Sequence, residues 1–198
     1  MKLKGTVEHI IYKNSENGYT VLTLLVRGRS VTVSGKFPII GIGEELELEG
    51  EFKVVARYGE QFVAESVVIK KPTDVDSIIK YLSSGLISGV GEVTATNIVN
   101  KFGEDTLRVI EEDYPSLAKV KGVSARKASE IHDAYEDIKK MQQAVMFLQK
   151  YDITTNMAVK IYNKYKGRTE ELLTENPYRL VQDIEGIGFK TADKIAMR

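Results

Sequence analysis

Two hydrophobic periods divide this chain. Through roughly the first seventy residues, apolar and polar positions alternate, as in Thr20-Val21-Leu22-Thr23-Leu24, Val31-Thr32-Val33 and Glu45-Leu46-Glu47-Leu48-Glu49. A period of two belongs to strands that bury one face. Turn-forming groups separate the runs: Ser15-Glu16-Asn17-Gly18, Arg27-Gly28-Arg29, Gly41-Ile42-Gly43 and Arg57-Tyr58-Gly59-Glu60. The pattern predicts five strands, near 3–12, 19–26, 30–37, 44–55 and 61–70. Five short antiparallel strands in so little chain suit a small OB-like barrel. Pro72 ends the alternation, and Asp74 is placed to cap a helix running through Ile78, Ile79 and Leu82. Beyond it the period is helical. A long amphipathic segment from Ala125 to about Tyr151 turns Ile131, Ile138, Val145 and Leu148 to one side, with Met141 and Met146 as packing residues. The fold class expected is α+β and multidomain: a barrel over 1–71, then an all-α domain over 72–198.

A repeat runs through the helical part. Gly89-Val90-Gly91 is followed by Ala95 and Ile98, Gly122-Val123-Ser124 by Ala128 and Ile131, and Gly186-Ile187-Gly188 by Ala192 and Ile195. The alanine falls six residues after the first glycine and the isoleucine nine after it, which places both on one helical face. A glycine turn opening such a helix is the signature of a helix-hairpin-helix. Glycine reaches positive φ and lets backbone approach a ligand closely. The helix it opens presents unpaired N–H groups and a positive dipole end to an anion. A fourth, weaker copy, Asp152-Ile153-Thr154 with Ala158 and Ile161, keeps the offsets without the glycines. Numbered in chain order, with Asp152 third and Gly186 fourth, copies one and three lie 63 residues apart (152 − 89), copies two and four 64 apart (186 − 122), and Leu117 and Leu180 again 63 apart. The helical domain therefore reads as a duplicated pair, about 72–135 and 136–198, whose second half begins with a hairpin that only packs.

These spacings nominate the phosphate-contacting residues: Gly89, Val90, Gly91 and Thr94; Gly122, Val123, Ser124, Arg126 and Lys127; and Gly186, Ile187, Gly188, Lys190 and Thr191. The cations beside the second and fourth hairpins favour those two, and Glu92 disfavours the first. Gly186-Ile187-Gly188-Phe189-Lys190-Thr191 superficially resembles a nucleotide-binding P-loop, but Phe189 stands where glycine must precede the lysine.

Composition narrows the chemistry. The 198 residues carry 28 basic and 28 acidic side chains, so DNA contact must be local rather than the work of a broad positive field. The row Glu45, Glu47, Glu49 and Glu51 should form a solvated face that repels phosphate. Tyr12, Tyr19, Phe37, Tyr58 and Phe62 could stack bases on the barrel. Cysteine is absent, which removes disulfides and thiolate metal sites and fits a cytoplasmic location. His9 and His132 stand apart and are read as structural. No nucleophile–base pair or metal cluster stands out, so neither catalysis nor a bound cofactor is expected here. No signal peptide or membrane-spanning run is apparent, and no membrane partner is expected.

The residues resemble the N-terminal extension of RecD-like (RecD/TraA family) DNA helicases over essentially the whole chain. The likeness lies in Asn17-Gly18-Tyr19-Thr20-Val21, Tyr58-Gly59-Glu60-Gln61-Phe62 and the run Ile79 to Gly91. Its most specific part is Asn176-Pro177-Tyr178-Arg179-Leu180, leading into Ile187-Gly188-Phe189-Lys190-Thr191-Ala192-Asp193. RuvA-like Holliday-junction binders share the order of barrel and hairpins but not that last stretch. The resemblance implies a parent enzyme that unwinds DNA 5′ to 3′ with ATP and Mg²⁺, in repair or recombination. The motor is expected to lie beyond Ala196-Met197-Arg198. This region would then be noncatalytic, with single-stranded or forked DNA as its sequence-independent partner. The alternatives are docking of a protein partner and a RuvA-like Holliday-junction binder.

Overall fold

The computed structural model describes residues 1–197, position 156 by its backbone alone; Arg198, the end of the last expected helix, lies outside them. Five strands form: β1 (Lys2–Lys13), β2 (Tyr19–Val26), β3 (Arg29–Lys36), β4 (Glu45–Val55) and β5 (Gly59–Lys70). They close into a barrel in the order β1-β2-β3-β5-β4. β1 and β4 pair antiparallel to shut it, and β3 meets β5 in a short parallel contact at Val33–Phe62 and Ser34–Val63. This is the OB-like barrel that the alternation predicts. Its inward set, Val7, Leu22, Leu24, Val33, Leu46, Leu48, Phe62 and Val67, is buried. A register shift between Glu49 and Gly50 divides β4. Beyond it Phe62 and Gln61 of β5 stay buried, while Phe52, Val54 and Tyr58 are exposed.

Among the described residues, eight α-helices follow: α1 (Val75–Leu82), α2 (Glu92–Phe102), α3 (Thr106–Glu112), α4 (Ala125–Gln149), α5 (Thr155–Tyr165), α6 (Thr169–Glu175), α7 (Arg179–Asp183) and α8 (Phe189–Ala196). Short 3₁₀ turns stand at 103–105, 114–119 and 166–168. Asp74 caps α1 as expected, its carboxylate accepting the Ser77 amide at 2.9 Å. Ile131, Ile138, Val145 and Leu148 of α4 are all buried.

The chain forms two compact units. The first holds Met1–Lys13, Thr20–Gly35 and Ile40–Asp137. Within it the loop before β4 packs on α1, and Tyr81 stands 2.6 Å from where a Cβ on Gly41 would lie. Glu44 is fully buried there and accepts the Gly41 amide at 2.7 Å. Lys71 lies over the Tyr135 ring, 4.0 Å from its centroid. His132 Nδ1 bonds the Ile110 carbonyl at 2.8 Å and its ring stacks on Tyr114, a structural role. The second unit takes residues from Ile138 onward together with two barrel loops, Asn14–Tyr19 and Lys36–Ile39. Gln142 Nε2 donates to the Ile39 carbonyl at 2.8 Å, and Thr155 Oγ1 to the Lys36 carbonyl at 3.3 Å.

The 63-residue repeat continues in the backbone. Gly103 ends α2 at φ 57°, ψ −136°, and Lys166, 63 positions on, ends α5 at φ 53°, ψ −137°. Three residues after each, a buried threonine returns its hydroxyl to that position's carbonyl: Thr106 to Gly103 and Thr169 to Lys166, both at 2.7 Å.

Candidate nucleic-acid interface

All four hairpins share the conformation of their first residue. Their first residues lie at positive φ: Gly89 at 79°, Gly122 at 88°, Asp152 at 58° and Gly186 at 91°. The degenerate copy thus keeps the turn after losing its glycine, as aspartate tolerates the left-handed region better than most residues. Each paired alanine and isoleucine is buried, in the third copy as in the others. Those offsets are therefore the packing code of the second helix.

The middle residues behave differently from the sequence expectation. Val90, Val123 and Ile187, named there as phosphate contacts, have buried side chains. Their amides close the hairpins, donating to Ile87 O (3.4 Å), Val120 O (3.1 Å) and Ile184 O (3.4 Å). An apolar side chain between two helices is worth more in the core than beside an anion, so these three side chains anchor the turn.

What the turns offer to an anion depends on the cap. Gly91 opens α2 and Gly188 opens α8, both in extended geometry with no side-chain cap. The first amides of those helices lack an intrahelical acceptor. At the other two hairpins a hydroxyl takes one amide: Ser124 Oγ accepts from Lys127 N at 3.1 Å, and Thr154 Oγ1 from Met157 N at 3.4 Å. Hairpins one and four are the better amide donors, whereas the neighbouring cations had pointed to two and four.

The cations are also redistributed. Lys127, nominated for the second hairpin, reaches over the first, its Cε 3.8 Å and Nζ 4.0 Å from where a Cβ on Gly89 would stand. Glu92, at the start of α2, is exposed. Arg126 is held by Glu130 one turn along α4, Nε to Oε1 3.0 Å. Lys190 is exposed on the first turn of α8, and Thr191 beside it is half-buried. Over Gly186 the neighbour is Met157, its Cε 3.5 Å from the equivalent point. Lys194 pairs with Asp152 at 3.8 Å. Thr94 is half-buried on α2, and exposed Ser124 serves as the cap already described.

On the barrel, the glutamate row is not bare. Lys4 reaches Glu45 at 2.7 Å and Glu47 at 3.6 Å, Lys70 reaches Glu47 at 2.6 Å, Lys2 reaches Glu49 at 3.4 Å, and Lys53 reaches Glu51 at 2.7 Å. The hydrogen bond from Lys70 holds the Glu47 carboxyl below its ordinary range. Lys2, Lys4 and Lys70 on the adjacent strands make this face a cross-strand ladder, Lys53 pairing within β4, and the local neutrality offsets the repulsion expected from the glutamates alone. Of the candidate stacking rings, Phe37 and Phe62 are core residues, while Tyr12, Tyr19 and Tyr58 are exposed.

A closed OB-like barrel in series with paired helix-hairpin-helices defines the class of this molecule, since both folds are typical nucleic-acid-binding modules. Three family models tile it. Residues 1–72 match the OB-fold domain of ATP-dependent DNA helicase YrrC, 79–137 match the SAM-like helix-hairpin-helix tandem, and 137–198 match the helix-hairpin-helix domain of ATP-dependent RecD2 DNA helicase. The ATP-dependent RecD2 DNA helicase of Deinococcus radiodurans is 24% identical over 202 aligned residues, covering 98% of this chain. Piece by piece, the chain is similar to the OB-fold and helix-hairpin-helix domains of RecD-like helicases. It spans 28% of that relative's length. No helix among the described residues is long and apolar enough to cross a membrane.

Proposed function

We propose that this region is a noncatalytic DNA-binding and DNA-positioning module of an ATP-dependent helicase, whose ATP- and Mg²⁺-dependent 5′–3′ motor lies in the rest of the protein. Repair or recombination is the setting that fits such an enzyme. The observation that carries the reading is the first hairpin: the uncapped amides of α2 behind Gly91, with the Lys127 ammonium above Gly89. Backbone amides and one cation suit a phosphate and carry no base information, so binding should be sequence-independent and salt-sensitive. Gly186, Gly188, Lys190 and Thr191 form a second grip of the same kind. Titrating labelled single-stranded, duplex and forked DNA at two salt concentrations tests this. Binding at low salt that weakens at high salt is expected; a folded chain that binds none of the three overturns it.

The exposed Phe52, Val54 and Tyr58 on the β4–β5 ribbon favour a second reading, in which the barrel docks a protein partner. That reading expects a stable complex in pull-down that survives loss of Lys127 and Lys190.

A further inference from the structure

The fourth hairpin carries a feature that the other three lack. The residue three after the turn's first position is Glu92, Ala125 and Thr155 in the first three copies and Phe189 in the fourth. Phe189 is the first residue of α8 and is 67% exposed. Beside it stands Tyr178, 41% exposed, with ring centroids 6.4 Å apart and planes inclined at 44°. Tyr178 is fixed at both ends: its hydroxyl donates to Asp193 Oδ1 at 2.6 Å and its amide donates to Asn176 Oδ1 at 3.2 Å. Two large rings are thus held in place on the surface, one of them rigidly, without being committed to the core. Apolar surface of this kind is costly to leave in water unless something covers it.

The surroundings say what kind of group that is. Phe189 follows Gly188, so its ring rises from the same turn whose uncapped amides and Lys190 present positive charge. Positive donors alone would suit any phosphate, including that of a duplex, whose bases are stacked and hidden. An aromatic face within one residue of those donors suits a nucleotide whose base is out of the stack, because every base has a π-face. We propose that the fourth hairpin is a single-strand site, in which the α8 amides and Lys190 hold a phosphate while Phe189, braced by Tyr178, stacks the adjoining unpaired base. The first hairpin, with Glu92 and no ring, lacks this selectivity. The inference rests on the DNA-binding reading above and adds the form of DNA.

The test measures binding of the chain to a single-stranded oligonucleotide and to a blunt duplex of the same length, both carrying 2-aminopurine and compared at one low salt concentration. Phe189→Ala should weaken single-strand binding about tenfold and duplex binding less than twofold, and should abolish the 2-aminopurine quenching caused by stacking. Phe189→Tyr should restore both affinity and quenching. Tyr178→Phe, which keeps the ring and frees it from Asp193, should reduce quenching less than Phe189→Ala does. Equal losses on the two DNAs would mean that the ring only supports the turn, and no loss on either would assign the rings to a protein contact; each overturns the proposal while leaving DNA binding intact. Failure of the unaltered chain to bind either DNA overturns the DNA-binding reading itself.

Discussion

Lys127 and Gly89 are 38 positions apart in sequence, yet the lysine's terminal carbon stands 3.8 Å from the point where a Cβ on Gly89 would lie. In the function proposed above, the two hairpins of the first unit act as one composite grip, one supplying amides and the other the cation. Lys127→Ala should weaken DNA binding and lower the slope of log K against log salt by about 0.9, the share of one phosphate contact. Arg126→Ala should change that slope far less, because Glu130 already holds its guanidinium. Fluorescence anisotropy over a salt series checks both; equal effects would remove Lys127 from the grip.

Lys166 occupies a backbone region that its counterpart Gly103 enters without strain. A side chain at positive φ with ψ near −137° costs roughly 1–3 kcal/mol, against which glycine loses about 0.5–1 kcal/mol in chain entropy. Lys166→Gly should raise stability by about 1 kcal/mol after that offset. Urea unfolding measures it, and a destabilised variant would show that the lysine side chain contributes more than its backbone costs.

Asp74 ties the first helix down. The Ser77 amide bonded to its carboxylate holds that carboxyl below the ordinary range. A depressed carboxyl contributes stability that is present above its unfolded value near pH 4 and lost as pH falls through the folded value. Asp74→Ala should cost about 1 kcal/mol at neutral pH, and the difference from the unaltered chain should shrink below about pH 4. Unfolding curves at pH 7 and pH 3 separate this from a loss that is independent of pH.

Tyr165 gives a handle at the alkaline end. Burial, then its hydrogen bond to Asp183 at 2.8 Å, pushes the phenol up to about 12. A raised value means that its contribution is whole below the unfolded value near 10 and is lost as pH climbs through the folded one. The unaltered chain should therefore lose stability between about pH 10 and 12 faster than Tyr165→Phe does. A difference titration of tyrosinate absorbance between the two proteins should place the missing group in that window.

The barrel was legible because each buried strand face leaves a period of two. The hairpins were legible because an alanine and an isoleucine three apart record the packed face of a helix. Side-chain direction within the turn was not: Val90, Val123 and Ile187 look like their glycine neighbours in a motif, yet they serve the core. Nor could spacing show which hairpin Lys127 serves, since that follows from how α4 packs beside the first turn. The ion pairing of the β4 glutamates was hidden for a related reason. Their partners Lys2, Lys4 and Lys70 lie on β1 and β5, next to β4 in the barrel but distant in sequence. Capping was half-visible, as Gly91 against Ser124 already distinguishes an open helix end from an occupied one.

The buried hydroxyls of Thr106 and Thr169 have a bearing on how such a repeat ages. Each holds the carbonyl of its turn from the inside, so the outward residue need only endure the geometry. Glycine in one half and lysine in the other can then share the same bend. The two halves can diverge at the surface, where ligands are chosen, without renegotiating the architecture that presents it.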